Sequence, residues 1–291
     1  MTTEPTLKEV SESIRRRLAP HYGEGEASAM ARIVVEELLH YDAVDAVLRK
    51  DTTISSFMCG KVDKVVDRLL DDEPIQYVFG KARFYGADIK VNPSVLIPRP
   101  ETEELVDMIV KQWGDKTDLK VLDLCTGSGC IAVTLARVLK FAEVEGVDLS
   151  SEALEVAAEN ARDAHVKVAW SRMDVLKMTA RDEAEYDIIV SNPPYVLESE
   201  KASMDRNVLC YEPGMALFVP DSDPLKFYKP ISKFASKALK PSGQLFFEIN
   251  PLCAAAVTDM LKKMGFNDIE VVPDMYGKRR FVTAFSPAYG D

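Results

Sequence analysis

No apolar run in this sequence approaches the roughly 20 residues that a membrane-spanning helix needs. The opening stretch MTTEPTLKEV has neither the basic segment nor the apolar core of a secretory leader, so a cytoplasmic protein is expected. The five cysteines (Cys59, Cys125, Cys130, Cys210, Cys253) form no C-x-x-C pair. They read as small buried hydrophobes in a reducing compartment, which argues against a disulfide framework. The histidines, His21, His40 and His165, lack metal-ligand spacing, and no metal is expected. Positive charge is also scarce: 36 Lys and Arg face 47 Asp and Glu, for a net charge of −11. Tight nucleic-acid binding draws on Lys and Arg at the phosphates, so no direct nucleic-acid partner is expected. The short basic runs Arg15–Arg17 and Lys278–Arg280 read as solvated faces.

What is present suits a globular protein with a sizeable core. Apolar residues make up 47% of 291, enough for one large domain or two. The first 72 residues read as helices. In LKEVSESIRRRLA, Leu7, Val10, Ile14 and Leu18 fall on one face. ASAMARIVVEELLHY and KVDKVVDRLLDD continue the pattern until Asp71, Asp72 and Pro74 break it. IQYVFG and ARFYGADIKV look like a small hairpin turning at Gly86. We therefore expect a helical domain over residues 1–75, a β-hairpin linker over 76–97 and a third region over 98–291. In that region LKVLDLC, AEVEGVDLS, HVKVAW, YDIIVSN, GQLFFEIN, IEVVPD and RRFVTAF read as strands, several followed by helical segments. Repeated strand–helix units predict an α/β fold, a mostly parallel sheet covered on both faces.

Asp123-Leu-Cys-Thr-Gly127-Ser-Gly129-Cys-Ile-Ala132 lies where a strand hands over to a helix. Its glycines allow a tight turn and a close approach to a ligand. Asp148, nineteen residues beyond Gly129, ends the next strand and can accept both hydroxyls of a ribose diol. Gly127-x-Gly129-x-x-Ala132 also satisfies the dinucleotide fingerprint, so the loop alone leaves an NAD-dependent oxidoreductase open.

Asn192-Pro193-Pro194-Tyr195 breaks the tie. It follows the apolar strand YDIIVS, at the end where open α/β sheets bind ligands. The prolines fix φ and leave carbonyls that can face a pocket rigidly. The Asn192 side-chain oxygen and the Pro193 carbonyl can each accept one N–H of a planar NH2 group. Tyr195 can pack against that group by its ring face. A nitrogen so held can meet an electrophilic methyl in line, which favours methyl transfer over hydride transfer.

The chain resembles the release-factor glutamine methyltransferase family (HemK/PrmC type) over nearly its whole length. The resemblance is carried by Pro74–Gly80, Leu96-Ile-Pro98-Arg99-Pro100-Glu101-Thr102-Glu103, the Asp123–Ala132 loop, Asn192–Tyr195, Tyr211-Glu212-Pro213 with Ala216-Leu217, and Asp274-x-x-Gly277-x-x-Arg280. It implies a Rossmann-like seven-stranded S-adenosylmethionine-dependent methyltransferase domain with a small N-terminal helical domain that docks the substrate. It implies S-adenosylmethionine held by Cys125, Thr126, Gly127, Ser128, Gly129, Asp148, Asp174, Val175 and Asn192, leaving as S-adenosylhomocysteine. The implied partner is a class I peptide chain release factor, methylated on the glutamine of its Gly-Gly-Gln tip; a monomer is expected. A ribosomal-protein glutamine and an adenine N6 are the alternative acceptors. Arg99 and Thr102 have plain readings beside functional ones: Arg99 pairing with a surface carboxylate, Thr102 capping a helix that starts near Glu103. The sequence departs from the family pattern at Cys125, where a glycine is usual, at Pro224, and at Asn250 with Cys253.

Overall fold

The computed structural model describes residues 4–179 and 184–287. The chain divides into two compact units, residues 1–80 with 206–211, and residues 81–205 with 212–291.

The first unit holds α1 (Leu7–Tyr22), α2 (Glu24–Leu39), α3 (Ala43–Leu48), α4 (Ser56–Leu70) and α5 (Ile75–Phe79). A capping box starts α1: Thr6 accepts from the Glu9 backbone N–H, and the Glu9 carboxylate accepts from Thr6. Leu7, Val10, Ile14 and Leu18 are all buried, as their spacing predicts. They meet Ala27, Ala31, Val34 and Val35 of α2 and Val62, Val66 and Leu69 of α4 in one core. The stretch IQYVF was expected as a strand, and it is the helix α5. Pro74 accepts from the N–H groups of Tyr77 and Val78, and Gly80 closes the turn in the left-handed region at φ +71°.

The second unit opens with the hairpin β1 (Lys81–Phe84) and β2 (Ala87–Lys90). Tyr85 and Gly86 form its turn, both at positive φ (+45° and +77°), as a two-residue type I′ connection requires. The chain then runs through α6 (Pro100–Trp113), β3 (Lys120–Leu124), α7 (Cys130–Val138), β4 (Glu143–Asp148), α8 (Ser151–Asp163) and β5 (Ala169–Arg172). It continues through β6 (Tyr186–Ser191) and β7 (Val196–Leu197). The short helix α9 (Arg206–Tyr211) belongs to the first unit. Back in the second come β8 (Phe218–Val219), α10 (Tyr228–Ala238), β9 (Leu239–Glu248), α11 (Ala254–Lys263), β10 (Asn267–Pro273) and β11 (Arg279–Phe285).

Seven strands form one sheet in the order β10-β11-β9-β6-β3-β4-β5. Strands β5, β4, β3, β6 and β9 run parallel to one another, whereas β11 runs antiparallel to both β9 and β10. The fold is therefore the expected Rossmann-like α/β class. The central strands are largely buried, β6 from Ile188 to Ser191 and β9 from Gly243 to Glu248, as in a sheet covered on both faces. Strand β5 is shorter than HVKVAW suggested. His165 sits at φ +55° in the turn that ends α8, and the ladder begins only at Ala169. Chain order reverses at β3: β4 and β5 extend the sheet to one side, and β6 returns to the other. Ligands of open α/β sheets bind beyond the carboxyl ends of the strands at such a reversal.

Candidate active site

A cleft of about 330 Å³ opens at that reversal. Its walls include Cys125, Thr126, Gly127 and Ser128 after β3, Asp148 at the end of β4, Asp174 and Val175 after β5, and Asn192 and Pro194 after β6. Residues anticipated for the site thus converge from four strand ends. Gly129, Pro193 and Tyr195 do not line the cleft.

The loop after β3 is built around Asp123, which is fully buried. Its Oδ2 accepts from Thr126 Oγ1 at 2.5 Å and from the Ala132 N–H at 3.2 Å. Its Oδ1 has no partner among the described residues. Burial pushes the Asp123 carboxyl up to about 7, against the pull of those two donors. Because the folded value lies above the ordinary one near 3.9, the stabilisation linked to Asp123 is fully present below about pH 4. It is lost as the pH rises towards 7. Denaturant unfolding from pH 4 to 8 should show this fall, on the order of 3–4 kcal/mol, in the wild type and not in Asp123→Asn. Parallel pH profiles for the two chains would contradict it.

Gly127 takes φ +56° and would meet nothing within 4 Å at its Cβ position. Its N–H donates to Asp148 Oδ2 at 2.9 Å, while the Ser150 N–H donates to Asp148 Oδ1 at 2.9 Å. Each Asp148 oxygen keeps further acceptor capacity, which suits a vicinal diol. Gly129 takes φ +76° and precedes α7; an added Cβ would lie 2.9 Å from Ala157 Cβ and 3.0 Å from the Trp170 ring. Cys125 stands at φ +63°, which explains why glycine suits this position: an L side chain there costs on the order of 1–2 kcal/mol. Burial, followed by Asp148 and Asp123, pushes the Cys125 thiol well up, so it stays protonated and inert. Open space beside Gly127, positive φ along the loop and the remaining acceptor capacity of Asp148 fit the adenosine end of S-adenosylmethionine. Half-exposed Leu149 and Leu176 provide apolar wall.

Two features of this loop carry no sequence signal. Asn160 on α8 donates from Nδ2 to Ser128 O at 2.8 Å and to Lys90 O at 3.0 Å. Its Oδ1 accepts from the Lys90 N–H at 2.7 Å, so one buried amide ties the loop to the hairpin. Trp170 lies against both Gly129 and Gly146, whose added Cβ would come within 2.2 Å of the indole.

On the β6 side, Ser191 Oγ donates to Leu124 O at 2.6 Å and locks the ends of β6 and β3 together. Asn192 Nδ2 donates to Thr102 Oγ1 at 3.2 Å. Its Oδ1 has no protein partner among the described residues. Thr102 does not cap α6, contrary to its plain reading. The helix starts earlier, with Pro100 in its first turn and Arg99 at the N-cap, so Thr102 falls inside it, 3% exposed. Its hydroxyl donates to Glu248 Oε2 at 2.7 Å. Tyr195 turns its hydroxyl away from the cleft and donates to the other oxygen of Glu248 at 2.8 Å. Asn250, one of the departures, donates from Nδ2 to Tyr195 O at 3.2 Å and to Glu200 Oε2 at 2.6 Å. It thereby holds the far end of the Asn192–Tyr195 turn. Arg99 pairs with Glu212 at 2.5 Å, and Glu212 also accepts from the Ile97 N–H at 3.1 Å. That carboxylate is buried rather than on the surface, so Arg99 is a wall of the cleft fixed by an internal ion pair. Nothing in the structure explains Pro224.

Comparison with known proteins bears on the family and the fold. Residues 9–80 match the family model of the PrmC N-terminal domain, and residues 101–209 that of the methyltransferase small domain. The release factor glutamine methyltransferase of Bacteroides thetaiotaomicron is 41% identical over 278 residues, covering 96% of this chain and 99% of that one. The enzyme of the same name from Flavobacterium psychrophilum is 39% identical over 268 residues, covering 91% and 94%. Among solved structures, a methyltransferase from Pyrococcus furiosus superposes with a TM-score of 0.52 at 17% identity, covering 76% of this chain and 97% of that one. At that identity it shows the shared fold. From the end-to-end similarity to the first two, the chain belongs to the release factor glutamine methyltransferase family.

Proposed function

We propose that this protein transfers a methyl group from S-adenosylmethionine to the side-chain N5 of the glutamine in the Gly-Gly-Gln motif of class I release factors. The observation that carries the reading is Asn192 at the cleft wall, its Nδ2 engaged inside the protein and its Oδ1 without a protein partner. When bound, S-adenosylmethionine supplies the electrophilic methyl. The chain's own task is to hold a poor nucleophile, since an amide nitrogen's lone pair is delocalised into its carbonyl. Asn192 Oδ1, on the cleft wall, accepts one N–H of the glutamine amide; Pro193, expected from the sequence as the second acceptor, does not line the cleft. Pro194 forms the rigid wall beside Asn192, and Tyr195, anchored on Glu248, keeps the turn from opening. Positioning of this kind is worth roughly 7–11 kcal/mol of barrier in well-oriented systems. The loop Cys125–Gly129 with Asp148, Asp174 and Val175 holds the cofactor. The sulfonium is already a good leaving group, so its departure needs no general acid; the amide nitrogen releases one proton to solvent as it is methylated.

The helices of residues 1–75 serve as the docking surface for the release factor, a role supported by the match to the PrmC N-terminal domain. The net charge of −11 argues against a nucleic-acid acceptor. A monomer working in the cytoplasm fits a substrate of the translation apparatus. Among the described residues, no helix is long and apolar enough to cross a membrane.

The test is transfer of label from S-adenosylmethionine to a purified class I release factor and to its variant with the Gly-Gly-Gln glutamine changed to alanine. Label on the first alone is expected. Equal label on both would overturn the target residue. Label on ribosomal protein or adenine-containing DNA in place of either would overturn the substrate class.

A further inference from the structure

The amide of Asn192 offers opposite chemistry at its two ends, an acceptor at Oδ1 and a donor at Nδ2. Holding a substrate NH2 requires the oxygen to face the cleft, and that choice is made outside the Asn192–Tyr195 motif. Glu248, at the carboxyl end of β9 and 1% exposed, accepts at both oxygens, from Thr102 and from Tyr195. The Thr102 hydroxyl has one proton. With that proton given to Glu248, its oxygen can only accept, and the donor that reaches it is Asn192 Nδ2 at 3.2 Å. The chain of hydrogen bonds therefore runs in one direction, from Asn192 through Thr102 to Glu248.

We propose that Thr102 and Glu248 are positioning residues that lock Asn192 with its carbonyl oxygen towards the cleft. This makes the site select an N–H donor, the amide of a glutamine, over the carboxylate of a glutamate presented in its place. The inference rests on the proposed role of Asn192. The lock needs Glu248 as an acceptor. Burial pushes the Glu248 carboxyl above its ordinary value; the hydrogen bonds from Thr102 and Tyr195, and then the charge of Arg280, which pairs with Asp274 at 3.3 Å, oppose that rise and favour the carboxylate. A protonated Glu248 would donate to Thr102 and reverse the chain, turning the Asn192 NH2 into the cleft. Three hydrogen-bonded side chains from α6, β9 and the end of β6 would not be needed to orient a residue whose two ends were equivalent in use.

The experiment uses the full chain as Thr102→Val, Thr102→Ser and Glu248→Gln, with kcat and KM on the release factor and the dissociation constant of S-adenosylmethionine. Valine keeps the shape of threonine and removes the donor and acceptor. We expect Thr102→Val and Glu248→Gln to lower kcat by roughly 10–100-fold, with cofactor affinity changed much less. Thr102→Ser, which keeps the hydroxyl, recovers most of that loss. A folded, cofactor-binding Thr102→Val chain with wild-type kcat overturns the proposal, as does a Thr102→Ser chain no better than the valine. A second readout needs no release factor: the Asn192 side-chain NH2 resonances, assigned by their loss in Asn192→Asp. They should exchange slowly with solvent in the wild type and faster in Thr102→Val; equal exchange also overturns the lock. A wild-type chain that is inactive on the release factor but shows slow exchange would overturn the substrate reading and leave the lock intact.

Discussion

Asn192→Ala is expected to lower single-turnover methyl transfer to the release factor by about 10²-fold or more. Cofactor affinity should fall by no more than about tenfold. The two effects separate because Asn192 stands where the cofactor loop and the amide-holding turn meet, whereas most of the proposed cofactor contacts come from elsewhere. Gly127, Asp148 and their mutual hydrogen bond remain intact in the variant. On the proposed reading, what disappears is the acceptor on the cleft wall for the glutamine NH2, leaving that group free to rotate out of line. Losing the geometry of an oriented pair commonly costs two orders of magnitude from a displacement of about 1 Å. Rapid-quench transfer measured beside calorimetric titration of the cofactor distinguishes these effects. Full transfer by the alanine variant would remove the amide-holding role from this turn.

Gly129→Val is expected to destabilise the protein by roughly 2–5 kcal/mol and to abolish measurable cofactor binding. Two costs combine. A β-branched residue at φ +76° is strained on the order of 1–2 kcal/mol. Its Cβ would also start 2.9 Å from Ala157 Cβ and 3.0 Å from Trp170, and overpacking of this kind costs about 1–3 kcal/mol. The strain has one exit, displacement of the loop into the cleft, because Ala157 of α8 and Trp170 of β5 close the other side. Trp170 is one of two tryptophans, so its emission should report the displacement. A variant with unchanged denaturant midpoint and cofactor affinity would show that the tight loop is not required.

The features legible in the sequence were those written in neighbouring residues. The β3 loop announced itself through glycines at fixed spacing, and the β6 turn through an Asn-Pro-Pro-Tyr run after an apolar strand. The faces of α1 and α4 followed from apolar spacing alone. Where packing or one backbone angle decided the outcome, the sequence was ambiguous. IQYVF has the composition of a strand, yet Pro74 and the left-handed Gly80 make it a helical turn. Helix α3 buries none of its residues and so shows no apolar period; it forms because the Asp42 carboxylate accepts from the Val44 and Asp45 N–H groups. The orientation of Asn192 was illegible for a different reason. Thr102 and Glu248 lie 146 residues apart, and no local spacing brings them together. The same holds for Arg99 with Glu212, 113 residues apart, and for Asn160 beneath the cofactor loop.

The most direct measurement is fragmentation mass spectrometry of a class I release factor after incubation with this protein and S-adenosylmethionine. The expected result is a single methyl group on the side chain of the Gly-Gly-Gln glutamine, absent when Asn192→Ala replaces the wild type. A methyl group on any other residue, or an unmodified release factor alongside confirmed cofactor binding, would contradict the assigned substrate.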